Sequence, residues 1–326
     1  MSFNPLFYFC RNLRRLKILH ETDGAYHSPT VLTIGTFDGV HIGHQKIVKR
    51  LVAEANRMGL KSVVLTFFPH PRMVLQKDAN IKLINTLEER AAIMEGLGLD
   101  CLYVKKFTKE FSRLTAEEFV GNVLVNELKV KKIIIGYDHH FGRNRTANID
   151  DLREFGEEYG FEVEEISAQD VNEVAVSSTK IRAALAEGDV SKAKSYLGHP
   201  FSITGEVVKG KGLGRTLEFP TANIALKEEY KLVPKNGVYI VKSIIDDKVV
   251  YGMMNIGVNP TVNGANQTIE VNYLNLNKDL YSSTVTVELL ERIRDEEKFD
   301  SVEALQNQLR IDRETTLAYI SEHLNE

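Results

Sequence analysis

Cysteine is scarce in this chain: Cys10 and Cys101 are the two in 326 residues. One possible pair cannot build a disulfide framework, and no metal-ligand spacing accompanies it, which fits a reducing, cytoplasmic setting. Excess positive charge is also missing. The formal net charge is −4, so there is no bulk attraction to nucleic acid or to an anionic membrane, and a phosphate-bearing ligand has to be attracted by local groups. No apolar run approaches the length of a membrane-crossing helix. A secretory leader is not expected either. In Met1 to Lys17 the aromatics Phe3, Phe7, Tyr8 and Phe9 come before Arg11, Arg14 and Arg15, the reverse of a signal's order. Residues 1–17 read as a short extension ahead of a first strand near Leu16 to His20. Internal repeats and low-complexity tracts are lacking too.

What remains is an ordinary globular composition, 43% hydrophobic and 26% charged, at a length that suggests two domains. Over residues 18–187, strand-like and helix-like segments alternate. Val31–Phe37, Ser62–Phe68, Leu102–Val104, Lys132–Ile135 and Phe161–Ile166 read as strands. Helices are expected over 44–57, from Thr86 to Leu97, from Thr115 (with Glu118 completing a capping box), over 149–159 and over Ser177–Ala186. Such alternation predicts an α/β domain with a parallel sheet, covered by helices on both faces, that binds ligands beyond the carboxyl ends of its strands. Residues 188–200, with Gly188, Asp189, Gly198, His199 and Pro200, read as a joint holding a short helix. From 201 to the end, short β-branched segments separated by Gly, Asn and Pro predict a small antiparallel barrel or sandwich, followed by a helix from Val302 to Leu324.

The most informative stretch runs from Val31 to His44. An apolar run ends in a turn with Gly35, Gly39 and Gly43, carries His41 and His44, and passes at once into a helical pattern of Ile47, Val48, Leu51, Val52 and Ala55. Strand, glycine turn and helix start together form a phosphate-binding geometry, because the first helical N–H groups lack backbone partners and the helix dipole favours negative charge there. Two imidazoles at that point can donate hydrogen bonds to charge building on a phosphate under attack. Asp38 either orients a histidine, helps hold a cation, or serves the turn itself. A second signal is Val176-Ser177-Ser178-Thr179-Lys180-Ile181-Arg182. Its hydroxyls either cap a helix or, with the two cations, clamp the distal phosphates of a nucleotide.

Together these motifs are similar to the nucleotidyltransferase superfamily with the His-x-Gly-His signature. Thr66-Phe67-Phe68-Pro69-His70-Pro71 and Gly136-Tyr137-Asp138-His139-His140-Phe141-Gly142-Arg143 resemble the FAD synthetase module of bacterial bifunctional riboflavin kinase/FAD synthetases. On their own the first would be a rigid turn and the second an exposed loop. The resemblance implies that Gly35, Thr36, Phe37, Asp38, Gly43, Asp138, Ser178 and Thr179 bind ATP, that Pro69, His70 and Phe141 contact the flavin, and that His41, His44 and Arg182 act in adenylyl transfer.

In the second half, Gly205 to Arg215 is a glycine-spaced stretch with Lys209, Lys211 and Arg215. It is either a mobile β-connection or a flap whose N–H groups and cations cover phosphates. Phe219-Pro220-Thr221-Ala222-Asn223-Ile224 follows. A Thr and an Asn two apart on a strand face the same side, and their oxygens can ligate Mg²⁺. This stretch resembles the riboflavin kinase module of the same enzymes, through Gly237-Val238-Tyr239, Gly252 to Gly257, Asn259-Pro260-Thr261-Val262 and Arg294-Asp295-Glu296. The likeness spans residues 18 to 322 in the family's order of modules. It implies that Gly210, Lys211, Gly212, Gly214 and Arg215 bind the kinase ATP, that Thr221 and Asn223 hold Mg²⁺, that Arg294 meets the flavin, and that Glu270 is the catalytic base.

The chain departs from the family pattern at four places. Asn272 stands where His is usual, Glu218 and Ser282 where Gly is usual, and Thr36 where Asn is frequent. The expected reaction sequence is phosphorylation of riboflavin to FMN by Mg-ATP, then adenylylation of FMN to FAD with release of pyrophosphate. Partners are therefore small molecules, and the chain is expected to be a cytoplasmic monomer or weak homo-oligomer. Competing readings are an FMN adenylyltransferase with a weak or inactive kinase half, a nucleotidyltransferase of another coenzyme precursor, a class I aminoacyl-tRNA synthetase, and a flavin-binding regulatory protein.

Overall fold

The computed structural model describes residues 15–24, 26–76, 80–136, 140–166, 176–210, 214, 217–261 and 264–323. Two compact units divide the chain: residues up to Ile81 together with Leu87–Ala175, and Lys82–Thr86 together with Val176 onward.

The first unit holds a six-stranded sheet in the order β1-β4-β3-β2-β5-β6. The strands are β1 (Lys17–His20), β2 (Thr30–Ile34), β3 (Lys61–Phe68), β4 (Cys101–Lys106), β5 (Val130–Gly136) and β6 (Glu162–Ile166). Every neighbouring pair is parallel. The near-continuous apolar runs are those of strands buried on both faces. Leu32, Ile34, Val63, Leu65, Cys101, Tyr103, Ile133 and Ile135 enter one core, while Val31, Val64, Leu102, Val104 and Ile134 enter the other. This is the two-residue alternation of a strand read out as two layers.

Helices close both layers. Val48, Leu51 and Ala55 of α1 (Ile42–Met58) pack on one face, with Ala91 and Met94 from a helix over Leu87–Gly96. The other face takes Phe119 to Leu124 and Leu152 of the helix Ile149–Tyr159. The capping box expected at Thr115 is present, since its hydroxyl accepts from the Glu118 N–H at 3.1 Å and Glu118 accepts from the Thr115 N–H at 2.8 Å. The chain beyond it, Phe119–Glu127, is π-helical.

Strand order makes β2 the switch point. Its neighbours are β3 and β5, so the chain builds outward in one direction through β3 and β4 and in the other through β5 and β6. In such sheets a crevice opens beyond the carboxyl end of the central strand. The turn after Ile34 lies there.

The second unit is a closed barrel in the order β10-β11-β8-β7-β12-β9. Its strands are β7 (Phe201–Val208), β8 (Ala222–Ala225), β9 (Gly237–Ile245), β10 (Lys248–Thr261), β11 (Gly264–Tyr273) and β12 (Thr284–Arg294). All pairings are antiparallel, and closure removes the exposed sheet edges. The helix Ser178–Glu187 gives Ile181, Ala184 and Leu185 to the barrel's core, and the helix Val190–Leu197 gives Val190, Ala193 and Leu197. The stretch read from sequence as a joint is thus largely a packed helix.

Residues Lys82–Thr86 belong to this unit by pairing. The Leu83 N–H donates to the Tyr230 carbonyl at 2.7 Å, and the Leu232 N–H donates to the Leu83 carbonyl at 2.7 Å. Ile84 is 0% exposed within the barrel core. The Lys231 ammonium, in a residue only 3% exposed, donates to the Ile84 carbonyl at 2.7 Å and sits 4.5 Å from the centre of the Phe201 ring.

Candidate active sites

The turn between β2 and α1 is conformationally constrained. Phe37, Gly39 and Val40 have φ of 48°, 90° and 39°, a region that glycine enters readily and a β-branched valine does not. Gly35 leaves room for this turn, since a Cβ there would come within 3.0 Å of the Phe37 ring. Thr66 ties the turn to β3 by donating its hydroxyl to the Thr36 carbonyl at 3.3 Å.

His41 is the N-cap of α1. Its Nδ1 accepts from the His44 N–H at 3.3 Å. That bond fixes the tautomer: with the Nδ1 lone pair engaged, the neutral ring carries its proton on Nε2. The two imidazoles stack with centroids 3.6 Å apart and planes 16° apart, and Phe37 lies 4.9 Å from His44. Burial pushes the His41 pKa down to about 4. Burial also holds His44 well below the usual histidine range, with the His41 and Arg90 charges acting in the same direction. Both rings are therefore neutral donors at neutral pH. The buried Nδ1 of His44 has no hydrogen-bond partner among the described residues.

Behind this pair stands a residue the sequence reading missed. Arg90 is 1% exposed; its Nη1 donates to the Thr66 hydroxyl at 3.2 Å and its Nη2 lies 4.0 Å from the carboxylate of buried Asp38. The available signal was its helical phase: Arg90 falls four residues before Met94, on the face that enters the core. Asp38 thus faces a buried cation and does not stand as an isolated negative charge beside a nucleotide site.

Pro69 and His70 follow the carboxyl end of β3. His70 caps the short helix Pro71–Leu75, its Nδ1 accepting from the Arg72 N–H at 3.2 Å. Phe141 is buried and packs 6.0 Å from Phe119, in a chain of rings that continues through Phe111 to Phe67 and Phe107. Beside these loops is a groove lined by Leu75, Lys109, Ser112, Arg113, Arg143 and Asn144. Lys109 and Arg113 also escaped the sequence reading, although they follow directly on a strand's carboxyl end.

Ser177 caps its helix, accepting from the Lys180 N–H at 3.3 Å, so Ser178 and Thr179 occupy the first helical positions. Nε of Arg182 donates to the Lys82 carbonyl at 3.1 Å. These residues fall in the second compact unit, whereas the histidine turn falls in the first. Asp138, Lys211, Gly212 and Arg215 lie outside the described residues.

In the barrel, register assembles the other site. Glu270 of β11 stands opposite Asn223 of β8 and Asn255 of β10. The Thr221 hydroxyl donates to Oε2 of Glu270 at 3.2 Å. The glycines of the preceding loop approach closely: a Cβ at Gly210 would lie 2.2 Å from the Asn223 side-chain nitrogen, and one at Gly214 would lie 2.3 Å from the Phe219 carbonyl and 3.3 Å from the Thr221 hydroxyl. Only a residue without a side chain fits there. Thr221 and Asn223 are hard oxygen donors, the kind Mg²⁺ takes. No cluster of three or more His, Cys, Asp or Glu able to hold a metal occurs among the described residues.

Arg294 lies at the end of β12. Its Nε and Nη2 grip Asp312, a 0% exposed carboxylate on the helix Val302–His323, at 2.8 to 3.1 Å, and its Nη1 donates to the Asp295 carbonyl at 3.0 Å. The guanidinium clamps that helix to the end of β12. Glu218 and Ser282 have φ of 66° and 61°. Both are therefore left-handed positions, and Glu218 is exposed.

A family model described as FAD synthetase matches residues 23–180, and one described as riboflavin kinase matches residues 197–320. A bifunctional riboflavin kinase/FMN adenylyltransferase of Escherichia coli (strain K12) is 36% identical over 304 residues, covering 93% of this chain and 96% of its own. The proteins of the same description from Listeria monocytogenes and Bacillus subtilis (strain 168) are 38% and 37% identical; the alignments cover 89% and 90% of this chain and 92% and 93% of theirs. A solved structure from Streptococcus pneumoniae, described as a macrolide-efflux protein, superposes with a TM-score of 0.83 at 34% identity and covers 92% of this chain and 98% of that one. No helix among the described residues is long and apolar enough to cross a membrane. With likeness of this depth running through both halves, the chain belongs to the bifunctional riboflavin kinase/FMN adenylyltransferase family.

Proposed function

We propose that the chain makes FMN from riboflavin and FAD from FMN, at two separate sites, by the following residue roles. The observation that carries the reading is the convergence of Glu270, Thr221 and Asn223 on one face of the barrel, in a chain whose other unit holds a neutral histidine pair at the sheet's switch point.

In the barrel, Glu270 accepts the proton of the ribityl 5′-hydroxyl as that oxygen attacks the γ-phosphorus of ATP and ADP leaves. Thr221 binds Oε2, and Oε1 is the acceptor. Mg²⁺, held by the oxygens of Thr221 and Asn223, neutralises phosphate charge when bound. Gly210, Lys211, Gly212, Gly214 and Arg215 are assigned to the phosphates of that ATP. Arg294 meets the flavin, with Asp312 holding its guanidinium in place.

In the parallel-sheet unit, an FMN phosphate oxygen attacks the α-phosphorus of a second ATP, and the bond to pyrophosphate breaks. No covalent enzyme intermediate is required, because the FMN phosphate is already a nucleophile. His41 and His44 donate N–H groups to the oxygen that gains charge, an arrangement that is preorganised and desolvated. By the family resemblance, Ser178, Thr179 and Arg182 are assigned to the leaving pyrophosphate. The turn from Gly35 to Asp38, with Gly43 and Asp138, binds the nucleotide, and Pro69, His70 and Phe141 border the flavin. The basic groove with Lys109, Arg113 and Arg143 favours an anionic flavin. We assign residues 18–187 and 201–326 to the two activities, a cytoplasmic setting, and a monomer or weak homo-oligomer that binds no nucleic acid.

The test is direct. Purified protein given riboflavin and Mg-ATP is expected to form FMN and then FAD by chromatography; formation of neither product overturns the reading.

A further inference from the structure

The strand that carries Thr221 and Asn223 begins where main-chain pairing stops. β11 pairs with β8 at Glu270↔Asn223 and Val271↔Ala222. One step further, β8 is preceded by Thr221 and then by Pro220, which has no N–H to continue a ladder. At this point a side chain takes over: Nδ2 of Asn272 donates to the Pro220 carbonyl at 2.7 Å. The bond joins residues 52 apart in sequence and supplies the rung that the backbone cannot.

The consequence reaches the catalytic carboxylate in two steps. Fixing the Pro220 carbonyl fixes the plane of the Pro220–Thr221 peptide. Thr221 in turn donates its hydroxyl to Glu270 at 3.2 Å. On its other side the same segment is backed by Gly214, where a Cβ would meet the Phe219 carbonyl at 2.3 Å. The segment is therefore held between a glycine loop and an asparagine amide.

We infer that Asn272 is a positioning residue of the kinase site, whose amide holds the Pro220–Thr221 peptide and thereby keeps the Thr221 hydroxyl on Glu270. The inference rests on the reading of Glu270 as the base. What the position requires is a hydrogen-bond donor. A carboxylate of the same shape would set an acceptor against the Pro220 carbonyl, whereas an imidazole still carries an N–H.

The test uses the full-length chain with Asn272→Asp, Asn272→Ala and Asn272→His. Asn272→Asp is expected to lower kcat for riboflavin phosphorylation by about tenfold or more, with KM for riboflavin within about twofold, the pattern of a displaced catalytic group. Asn272→Ala shifts in the same direction, and Asn272→His returns to within about threefold of the parent. Backbone amide exchange of Thr221 to Ile224 quickens in the Asp and Ala variants and not in the His variant. FMN adenylylation stays constant in all three. Phosphorylation by the Asp and Ala variants within about twofold of the parent, or a loss that follows a lowered melting temperature with unchanged exchange at Thr221, overturns the inference. A parent protein that does not phosphorylate riboflavin contradicts instead the reading of Glu270 on which the inference stands.

Discussion

His41 and His44 lie face to face, 3.6 Å between ring centres, with Nδ1 of the first accepting the backbone N–H of the second. The helix start thus orients both rings, and burial keeps both neutral. A neutral ring donates one hydrogen bond and adds no positive charge to the ground state, so its contribution grows as negative charge builds on the reacting phosphate.

Replacing His44 by alanine removes one such donor. A loss of roughly 10²–10³ in kcat for FMN adenylylation is expected, or about 2.7–4 kcal/mol. The KM for FMN should change little, because the interaction develops in the transition state. Steady-state kinetics with supplied FMN measures this; a raised KM with unchanged kcat would mean that His44 only binds substrate.

Acid should weaken the first unit through the same pair. The folded pKa of His41, about 4, lies below its ordinary value of 6.5, so the unfolded chain takes up the proton first as pH falls. The contribution is fully present above pH 6.5 and declines toward pH 4, by about 3 kcal/mol for His41 at the lower limit. Urea unfolding of the nucleotide-free protein between pH 7 and 4.5 should show this decline, and His41→Gln should flatten it. An equal pH dependence in the variant would assign the effect to other groups.

The strap at Leu83 and Ile84 ties barrel stability to a segment distant in sequence. Ile84→Ala opens a cavity in the barrel core and is expected to cost about 2–5 kcal/mol there. Riboflavin phosphorylation should then be lost on heating at a lower temperature than in the parent. A thermal midpoint of phosphorylation equal to the parent's would contradict the packing described.

Glu218 and Ser282 hold left-handed conformations in which a side chain is unfavourable. Glu218→Gly and Ser282→Gly should each stabilise the barrel, by about 1 kcal/mol at most, since glycine also loses more freedom on folding. Thermal midpoints would measure the gain, and a drop at either site would argue that the native side chain makes a compensating contact.

Much of this was legible in the sequence because the signals were local. Apolar, β-branched runs marked the strands to within a few residues, and the Thr115–Glu118 box and the glycine after α1 marked helix ends. The histidine turn and the Thr221–Asn223 strand announced their chemistry through residue type and spacing. Other features depend on contacts between distant segments. Arg90 becomes informative only when its helix lies against Thr66 and Asp38. The pairing of Leu83 with Tyr230 and Leu232, and the Lys231 ammonium beneath it, join segments that no periodicity links. Arg294 matched a motif, but its partner Asp312 comes from a helix whose packing the sequence left open.

Independence of the two chemistries is tested most directly by crossing two variants of the full chain, His44→Ala and Glu270→Gln, with riboflavin and Mg-ATP. The first is expected to accumulate FMN and stop. The second is expected to make no FMN yet to convert added FMN to FAD, and the two mixed together should restore FAD from riboflavin. If either folded variant loses both activities alike, or the mixture yields no FAD, the assignment of the two reactions to separate sites is wrong.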